Sequence, residues 1–371
     1  MSGEDEHGGG DGDAAIRGEG RRGRWPGRPR WSGWSGRSRW FKAAGIAVGC
    51  ALVASVAGAA WAYWHLNQNI KSVDIDSALG DDRPPRAMTT PTSPESASAS
   101  PLPSGALNIL VLGSDSRNGE RNKDLGGGSS EGARSDTAMI VHVDEGRSEA
   151  TVVSIPRDTL VTRPSCPLPS GGSTSIAYGA MFNTAYSVGG PVCAVKTVET
   201  MTNVRMDHYI EIDFAGFADL VDALGGVTVT TDEDISDEDS HLELEAGTHH
   251  LDGKDALALA RTRHGIGDGS DLGRIGLQQK LVKGLLDQVS STNLLTSPTR
   301  LYGVADALTS SLTTDTGLNS LTELMGLGQS LKSLSSTGTE TVTMPVVPAP
   351  SDPNRVVADE PEAGELWESL K

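Results

Sequence analysis

The sequence is poor in aromatic residues, in cysteines and in positive charge. Aromatic residues make up 4% of its 371 residues, and 31 Lys and Arg stand against 49 Asp and Glu, which gives a net charge of −18. Such an acidic chain is unsuited to the phosphate backbone of nucleic acids, so nucleic-acid binding is excluded. The sequence also contains no P-loop, HExxH or CxxC pair, and therefore lacks the commonest NTPase and zinc signatures.

One long uncharged stretch covers residues 43–64. As a helix it would be about 33 Å long, which is enough to cross the core of a bilayer. Trp61, Tyr63 and Trp64 lie at its end, where an interfacial belt of aromatic residues belongs. A cleaved signal peptide is the alternative, but the preceding tail is long and no small-residue cleavage site follows. We therefore predict one uncleaved membrane helix.

The tail before this helix is basic. Residues 1–42 hold nine Lys and Arg against six Asp and Glu, and almost no aliphatic residues. The positive-inside rule places such a tail in the cytoplasm, and its composition predicts disorder. The sequence therefore predicts a single-pass protein of the cell membrane whose C-terminal domain is extracellular.

The three cysteines divide between the membrane helix and the exterior. Cys50 lies within the helix, and Cys166 and Cys193 are the pair outside it. Because the exterior is oxidising, we predict a disulfide between them, with two free thiols as the alternative. In the chain-entropy model, closing a loop of this length stabilises the fold by about 3 kcal/mol.

The remaining chain divides into a linker and one domain. Residues 65–104 are predicted to be a juxtamembrane stretch and an extended tether rich in Pro, Ser and Thr. Residues 105–371 alternate between strand and helix patterns, which predicts an α/β domain with a mixed central sheet flanked by helices. The predicted strands are 107–113, 137–143, 150–155, 208–214, 227–230 and 341–348; the predicted helices are 191–202, 215–224, 252–263, 275–289, a region at 298–333, and 360–370.

Arginine is scarce in this domain, yet six arginines lie at the ends of predicted elements beside acidic residues. Any one of them could be a solvated surface residue, but six such placements favour a binding site, because arginine grips phosphate oxygens with a planar, permanently charged fork. Asp115 follows the first strand and Asp136 enters the second, and the two carboxylates could hold Mg²⁺. The six arginines are Arg117, Arg134, Arg157, Arg261, Arg263 and Arg274.

An acidic segment at residues 231–245 has a weaker signal. It is rich in Asp and Glu but lacks the ligand spacing of a known calcium loop. We interpret it as a solvated edge, with weak Ca²⁺ binding as the alternative.

The order of several motifs strongly resembles the LytR-CpsA-Psr family, in an actinobacterial-type member. The resemblance rests on LNILVLGSDSR, ARSDTAMIVHV, SIPRDTLV, FNTAYSVGGP, DHYIEIDFAGFADLVDALGGVTV, LDGKDALALARTRH and DLGRIGLQQ, which lie within about residues 105–290. It implies that the protein moves a glycopolymer from an undecaprenyl pyrophosphate carrier to peptidoglycan, as in teichoic acid attachment, and leaves a phosphodiester link.

The resemblance also implies roles for single residues. Asp115 and Asp136 would bind Mg²⁺, for which Mn²⁺ could substitute. The polyprenyl chain would enter an apolar pocket between the sheet and the helices, lined by parts of 181–224. The residues that would bind pyrophosphate are Arg134, Arg157, Arg261, Arg263, Arg274 and Gln278. Those assigned to catalysis are Asp115, Arg134, Arg157, Arg263 and Asp271.

Three points stay open at this stage. Met181 stands where many family members carry lysine, so one cation that could touch phosphate is missing. The general base is either Asp158 or a phosphate oxygen of the substrate. The alternatives to a transferase are a polyprenyl-pyrophosphate pyrophosphatase at the same site and a non-catalytic regulatory module that binds polyprenyl phosphate.

Overall fold

The computed structural model of the chain describes residues 35–86, 105–114, 135–168, 170–263, 271–292 and 297–371, without the side chains of residues 35–40 and 136. Contacts divide the chain into two units, Met1–Gly58 and Ala59–Lys371. The described part of the first unit is helical and belongs to α1 (Ser35–Asn69), which ends in the second unit.

Helix α1 contains the predicted membrane segment. Its part from Phe41 to Asn69 is long and apolar enough to cross a membrane, and the side chains of residues 41–60 are exposed. These properties agree with a single-pass membrane protein. The side of the membrane on which each end lies stays a prediction.

The second unit is built around a mixed sheet of seven strands, as the sequence predicts. Three neighbouring pairs are parallel and the other three are antiparallel. In spatial order the strands are β1 (Lys71–Val73), β12 (Leu312–Asp315), β7 (His208–Asp213), β2 (Leu107–Ser114), β3 (Ser135–Val143), β4 (Ala150–Ser154) and β13 (Thr339–Thr343).

Alternation along the strands gives the sheet two apolar faces. Leu110 and Leu112 of β2 point to one face, which is covered by α2 (Ile75–Leu79), α3 (Asn183–Thr202) and the C-terminal α9 (Glu362–Glu368). Leu107 and Ile109 point to the other face, where they meet Leu318 and α8 (Leu321–Ser330).

A separate apolar cluster holds a further layer of helices and hairpins together. In this layer, Gln279 of helix α6 (Asp271–Ser291) donates hydrogen bonds to Ser154 and Thr343. These two residues end the parallel strands β4 and β13, so the layer lies at one end of the sheet. The layer consists of α4 (Phe214–Leu224), β8 (Val227–Thr231), β9 (Ile235–Asp237), β10 (Leu242–Leu244), β11 (Gly247–Leu251), α5 (Gly253–Arg261) and α6 (Asp271–Ser291).

Two of the predicted elements are divided in the structure. The helical region 298–333 consists of α7 (Pro298–Ser311) and α8, with β12 between them, because Thr313 and Thr314 pair with β7 and β1 in the sheet. The strand 341–348 is divided into β13 and β14 (Val346–Ala349) at Pro345, which has no backbone N–H to donate. The sequence pattern did not predict the hairpin strands β5 (Leu160–Arg163) and β6 (Ala177–Met181), nor β15 (Asp352–Ala358).

The stretch after the membrane segment is folded in its first half. Strand β1 and helix α2 come from the predicted juxtamembrane stretch and belong to the sheet and its helical cover. An extended tether over 65–104 is therefore wrong for residues 65–86, which pack in the second unit. Residues 87–104 lie outside the described residues, and the other predicted domain boundaries stay predictions.

Candidate active site

A cavity of about 230 Å³ lies at the end of the sheet where β2 and β4 finish and β3 begins. It brings together four residues that the sequence singles out, Arg261, Arg263, Arg274 and Gln278. Three arginines against two aspartates give its described lining a net positive charge within an acidic domain. The remaining lining residues are Thr137, Phe214, Asp237, Asp239, Ser240 and Ala260.

The end of α5 presents two of the arginines. Between Arg261 and Arg263 lies Thr262, which is fully buried and whose hydroxyl bonds Ala258 O at 2.9 Å and Ser240 Oγ at 3.0 Å. The Arg261 guanidinium carbon lies 5.2 Å from the centre of the Phe214 ring, in cation–π contact. The buried Thr262 thus fixes the backbone between Arg261 and Arg263, whose side chains line the cavity.

Helix α6 contributes Gln278, which is buried. Its Nε2 donates to Thr137 Oγ1 at 2.9 Å and to Ala260 O at 3.0 Å. Both amide hydrogens are therefore used by protein acceptors, so Gln278 ties α6 to β3 and α5 in this arrangement. Its predicted contact with pyrophosphate stays a prediction.

A compact charge cluster adjoins the cavity at the first turn of α6. Asp271 accepts a hydrogen bond from the Arg157 backbone N–H at 3.2 Å, lies 3.5 Å from Arg157 Nε and pairs with Arg274. The Asp271 side chain is 13% exposed and the Arg274 side chain 3% exposed, so this pairing is shielded from water. Since Arg274 also lines the cavity, the cluster connects Arg157 and Asp271 to it.

Asp158, one of the two candidate bases, lies beside this cluster. Its carboxylate is 3.7 Å from Arg157 Nε and 3.1 Å from Arg355 Nη1. Both carboxylate oxygens therefore face arginines.

Sequence reasoning missed the most buried acid of the site. Asp237 is 2% exposed and accepts hydrogen bonds from the backbone N–H groups of Arg263 at 2.7 Å, Asp239 at 2.9 Å and Ser240 at 3.3 Å. The interpretation of 231–245 as a solvated edge is wrong at this residue. A short Asp-x-Asp-Ser turn was the available signal, because Asp side chains commonly bond the backbone two residues on, but no pattern connects it to Arg263.

A buried carboxylate also lies on β7, whose register aligns Glu211 with Leu112 of β2. Glu211 accepts hydrogen bonds from Tyr186 OH at 2.6 Å and Tyr209 OH at 2.8 Å. Burial, aided by the Glu211 charge, raises the pKa of both tyrosines, so their hydroxyls stay protonated and donate to Glu211 at neutral pH. No pattern in the sequence indicated that these three residues lie together.

The predicted metal ligands fall at the edge of the described residues. Asp115 and Arg134 lie outside them, and Asp136 lies in β3 without a described side chain. Ser114 and Ser135, the chain neighbours of the two aspartates, are paired in register on adjacent strands. Ser114 Oγ is buried beside the Tyr186 hydroxyl. Asp115, Asp136 and the Ser114 hydroxyl would together offer an all-oxygen donor set, which suits Mg²⁺. The described residues alone contain no group of three His, Cys, Asp or Glu that could hold a metal.

Comparison with known proteins decides the family. Residues 62–371 match the model of the LytR_cpsA_psr family. The chain belongs to this family.

Two curated relatives in the LytR-CpsA-Psr family illustrate the similarity. The cell wall biosynthesis protein LcpA of Corynebacterium glutamicum is 33% identical over 270 residues, which cover 65% of this chain and 50% of LcpA. A polyisoprenyl-teichoic acid–peptidoglycan teichoic acid transferase, TagU of Oceanobacillus iheyensis, is 33% identical over 220 residues, covering 59% of this chain and 62% of TagU. The chain thus spans about half the length of LcpA and less than two thirds of TagU.

A solved structure of TagT bound to LI-WTA shares the fold. Its TM-score is 0.52 at 27% sequence identity, and the match covers 72% of this chain and 89% of TagT.

Met181 is the position at which the resemblance to the family leads us to expect a lysine. Met181 ends β6 opposite Leu160, and Asn183 N–H donates to Arg157 O at 3.1 Å. The substituted position therefore lies next to the turn that carries Arg157 and Asp158.

The predicted disulfide is confirmed. Cys166 and Cys193 are joined, with their Cα atoms 5.2 Å apart, and both are fully buried against Ala185. The bond connects the segment after β5 to α3, whose first residue follows the Met181 turn.

Proposed function

We propose that this protein transfers a glycopolymer from a polyprenyl pyrophosphate carrier, of the undecaprenyl type, to peptidoglycan. The observation that carries the proposal is the convergence of Arg261, Arg263 and Arg274 on one cavity at the strand ends of the sheet. The names of the relatives, which include cell wall biosynthesis and teichoic acid transfer to peptidoglycan, support the same chemistry.

The charge of the cavity suits a pyrophosphate. A doubly substituted pyrophosphate carries two negative charges, and arginine is the residue best matched to paired phosphate oxygens. Asp237 and Asp271 oppose part of the arginine charge, but they also orient it, since Asp237 bonds the Arg263 backbone and Asp271 pairs with Arg274. The arginines are thereby held in place before the substrate arrives, which is the condition for electrostatic stabilisation of a transition state.

Asp115 and Asp136, with Ser114 nearby, are the residues that would hold Mg²⁺. When bound, the ion would neutralise charge on the pyrophosphate oxygens. Arg134, which precedes β3, would add a cation at the same strand end.

In the proposed reaction, a sugar hydroxyl of peptidoglycan attacks the phosphorus that carries the glycopolymer. A new P–O bond forms, the P–O bond to the polyprenyl phosphate breaks, and polyprenyl phosphate leaves with the bonding electrons. The hydroxyl proton passes to a base. Because both oxygens of Asp158 face arginines, we assign the proton to a phosphate oxygen of the substrate rather than to this carboxylate.

The apolar chain of the donor has a candidate location between the sheet and α8. Val111, Val141 and Ile210 are only partly buried on this face, opposite Leu324 and Leu331. The predicted lining, parts of 181–224, includes Ile210 on this face, whereas α3 packs closely against the other face of the sheet and α4 belongs to the layer at its end, so we place the polyprenyl chain on the α8 face.

The test uses the full chain in detergent or vesicles with a synthetic polyprenyl pyrophosphate-linked saccharide, purified peptidoglycan and Mg²⁺. We expect a phosphodiester-linked product in the wild type and none with Arg263→Ala. Arg300→Ala, a change of an exposed arginine on α7, is the matched control and should retain full transfer.

Each rival function predicts a different product. Hydrolysis at an equal rate with and without peptidoglycan would identify a pyrophosphatase, and donor binding without turnover would identify a regulatory lipid-binding module. Normal transfer by Arg263→Ala would overturn the assignment of the cavity.

A further inference from the structure

The last turns of α1 are packed into the second unit rather than projecting from it. Leu66 is buried, Leu321 N–H donates to Asn67 Oδ1 at 3.0 Å, and Asn69 Nδ2 donates to Asp306 Oδ1 at 3.2 Å. These contacts attach the end of α1 to both α7 and α8.

One attachment point is itself a residue of the aromatic belt. Tyr63 OH lies 3.0 Å from Thr322 Oγ1 in the first turn of α8. Tyrosines in such belts sit at the level of the lipid headgroups. A side chain spans only a few ångströms, so the first turn of α8 must lie close to the same level.

The surface around this contact is apolar and exposed. Trp61 and Trp64 lie within two residues of Tyr63 on α1, with Trp61 on the opposite side of the helix, and both are more than half exposed; Met325 on α8 is 64% exposed. Met325 is three residues after Thr322 and therefore on the same side of α8. A methionine so exposed at the level of two exposed tryptophans is unusual in contact with water and ordinary in contact with lipid.

We propose that this surface, made of Trp61, Trp64 and the Met325 side of α8, rests in the interface of the bilayer. Its occupant is lipid because the surface is continuous with the helix that crosses the membrane, and no spare residues separate the two. Helix α8 thus holds the domain against the membrane surface, and the domain is not connected to the membrane by a flexible linker alone. The proposal requires α1 to be a membrane helix and is independent of the transferase activity.

Site-directed spin labelling of the full chain tests the proposal. A Cys50→Ser background leaves the buried Cys166–Cys193 disulfide as the native cysteine pair. Met325→Cys is labelled in vesicles of phosphatidylethanolamine and phosphatidylglycerol, and collisions are measured with oxygen, which concentrates in lipid, and with a water-soluble nickel chelate. Val347→Cys is the matched control, because Val347 is an exposed aliphatic residue on β14.

We expect the label at 325 to collide several-fold more with oxygen, relative to the nickel chelate, than the label at 347. The difference should shrink in a Tyr63→Phe, Asn67→Ala variant, which loses two of the attachments between α1 and α8. Equal ratios at the two positions in vesicles would overturn the proposal. Protection of the 325 label from both reagents would also overturn it and would indicate a protein partner, such as a second copy.

Discussion

The Asp271 cluster allows a stability prediction that does not depend on any substrate. Asp271→Ala removes the carboxylate that pairs with Arg157 and Arg274, and leaves the Arg274 side chain, which is 3% exposed, without this counter-charge. Breaking a buried ion pair by removing one partner typically costs about 3–5 kcal/mol. The same change also removes the acceptor of the Arg157 backbone N–H.

This loss is a large fraction of the free energy of unfolding, which is about 5–15 kcal/mol for a typical domain. At roughly 2–4 °C per kcal/mol for large domains, the melting temperature should fall by roughly 6–20 °C. The melting temperature of Asp271→Asn should lie between those of the wild type and Asp271→Ala, because the amide oxygen of Asn can still accept the hydrogen bond from Arg157 N–H but carries no charge.

The assay is thermal unfolding of the full chain in detergent, followed by tryptophan fluorescence or circular dichroism. The matched control is Asp232→Ala, which breaks an exposed pair with Lys280 and should cost at most about 1 kcal/mol. Inorganic pyrophosphate should raise the melting temperature of Asp271→Ala more than that of the wild type, because the variant has gained net positive charge beside the cavity. If Asp271→Ala melts no lower than Asp232→Ala, the cluster does not stabilise the site as argued.

Three further predictions concern the disulfide, the half-buried His142 and the metal. Replacing Cys166 and Cys193 by serine should lower stability by about 3 kcal/mol, measured as a lower denaturation midpoint; no change would argue against the loop-closure account. Burial lowers the pKa of His142 below its ordinary 6.5, so the folded state resists protonation. The contribution of neutral His142 to the free energy of unfolding is complete above about pH 6.5 and is lost as the pH falls below that value toward the folded pKa. In melting curves at a series of pH values, His142→Gln should make the melting temperature depend less steeply on pH in this range. Removal of divalent cations with EDTA should abolish glycopolymer transfer, and added Mg²⁺ should restore it in the wild type but not in Asp136→Asn.

The sequence was most informative where one physical signal sufficed. Apolar runs identified the strands of the central sheet around Leu107–Ser114, and arginines at element ends identified Arg261, Arg263 and Arg274 as partners in one site. These signals are local, since an apolar strand and its polar end are adjacent in the chain.

The missed features depend on contacts between distant parts of the chain. β12 has only four residues and is a strand because β1 and β7 flank it, more than 90 residues away in the sequence. Asp237 belongs to the site because its carboxylate accepts a hydrogen bond from the backbone N–H of Arg263, which is 26 residues later in the chain. No pattern in the acidic segment connects Asp237 with Arg263 or shows that, of the carboxylates there, this one is buried. Such pairings follow from the fold and cannot be read from composition or periodicity.

The inclusion of β1 in the sheet has a consequence for proteolysis. The Pro-, Ser- and Thr-rich segment 87–104 connects α2 to β2, and both flanks belong to the second unit. On the membrane side, β1 pairs with β12, and Arg83 forms a buried ion pair with Glu199 of α3 at 2.6 Å. A protease that cuts within 87–104 therefore nicks the chain without shedding the domain, because the two pieces remain joined by a strand pair and a buried charge pair rather than by the peptide that was cut.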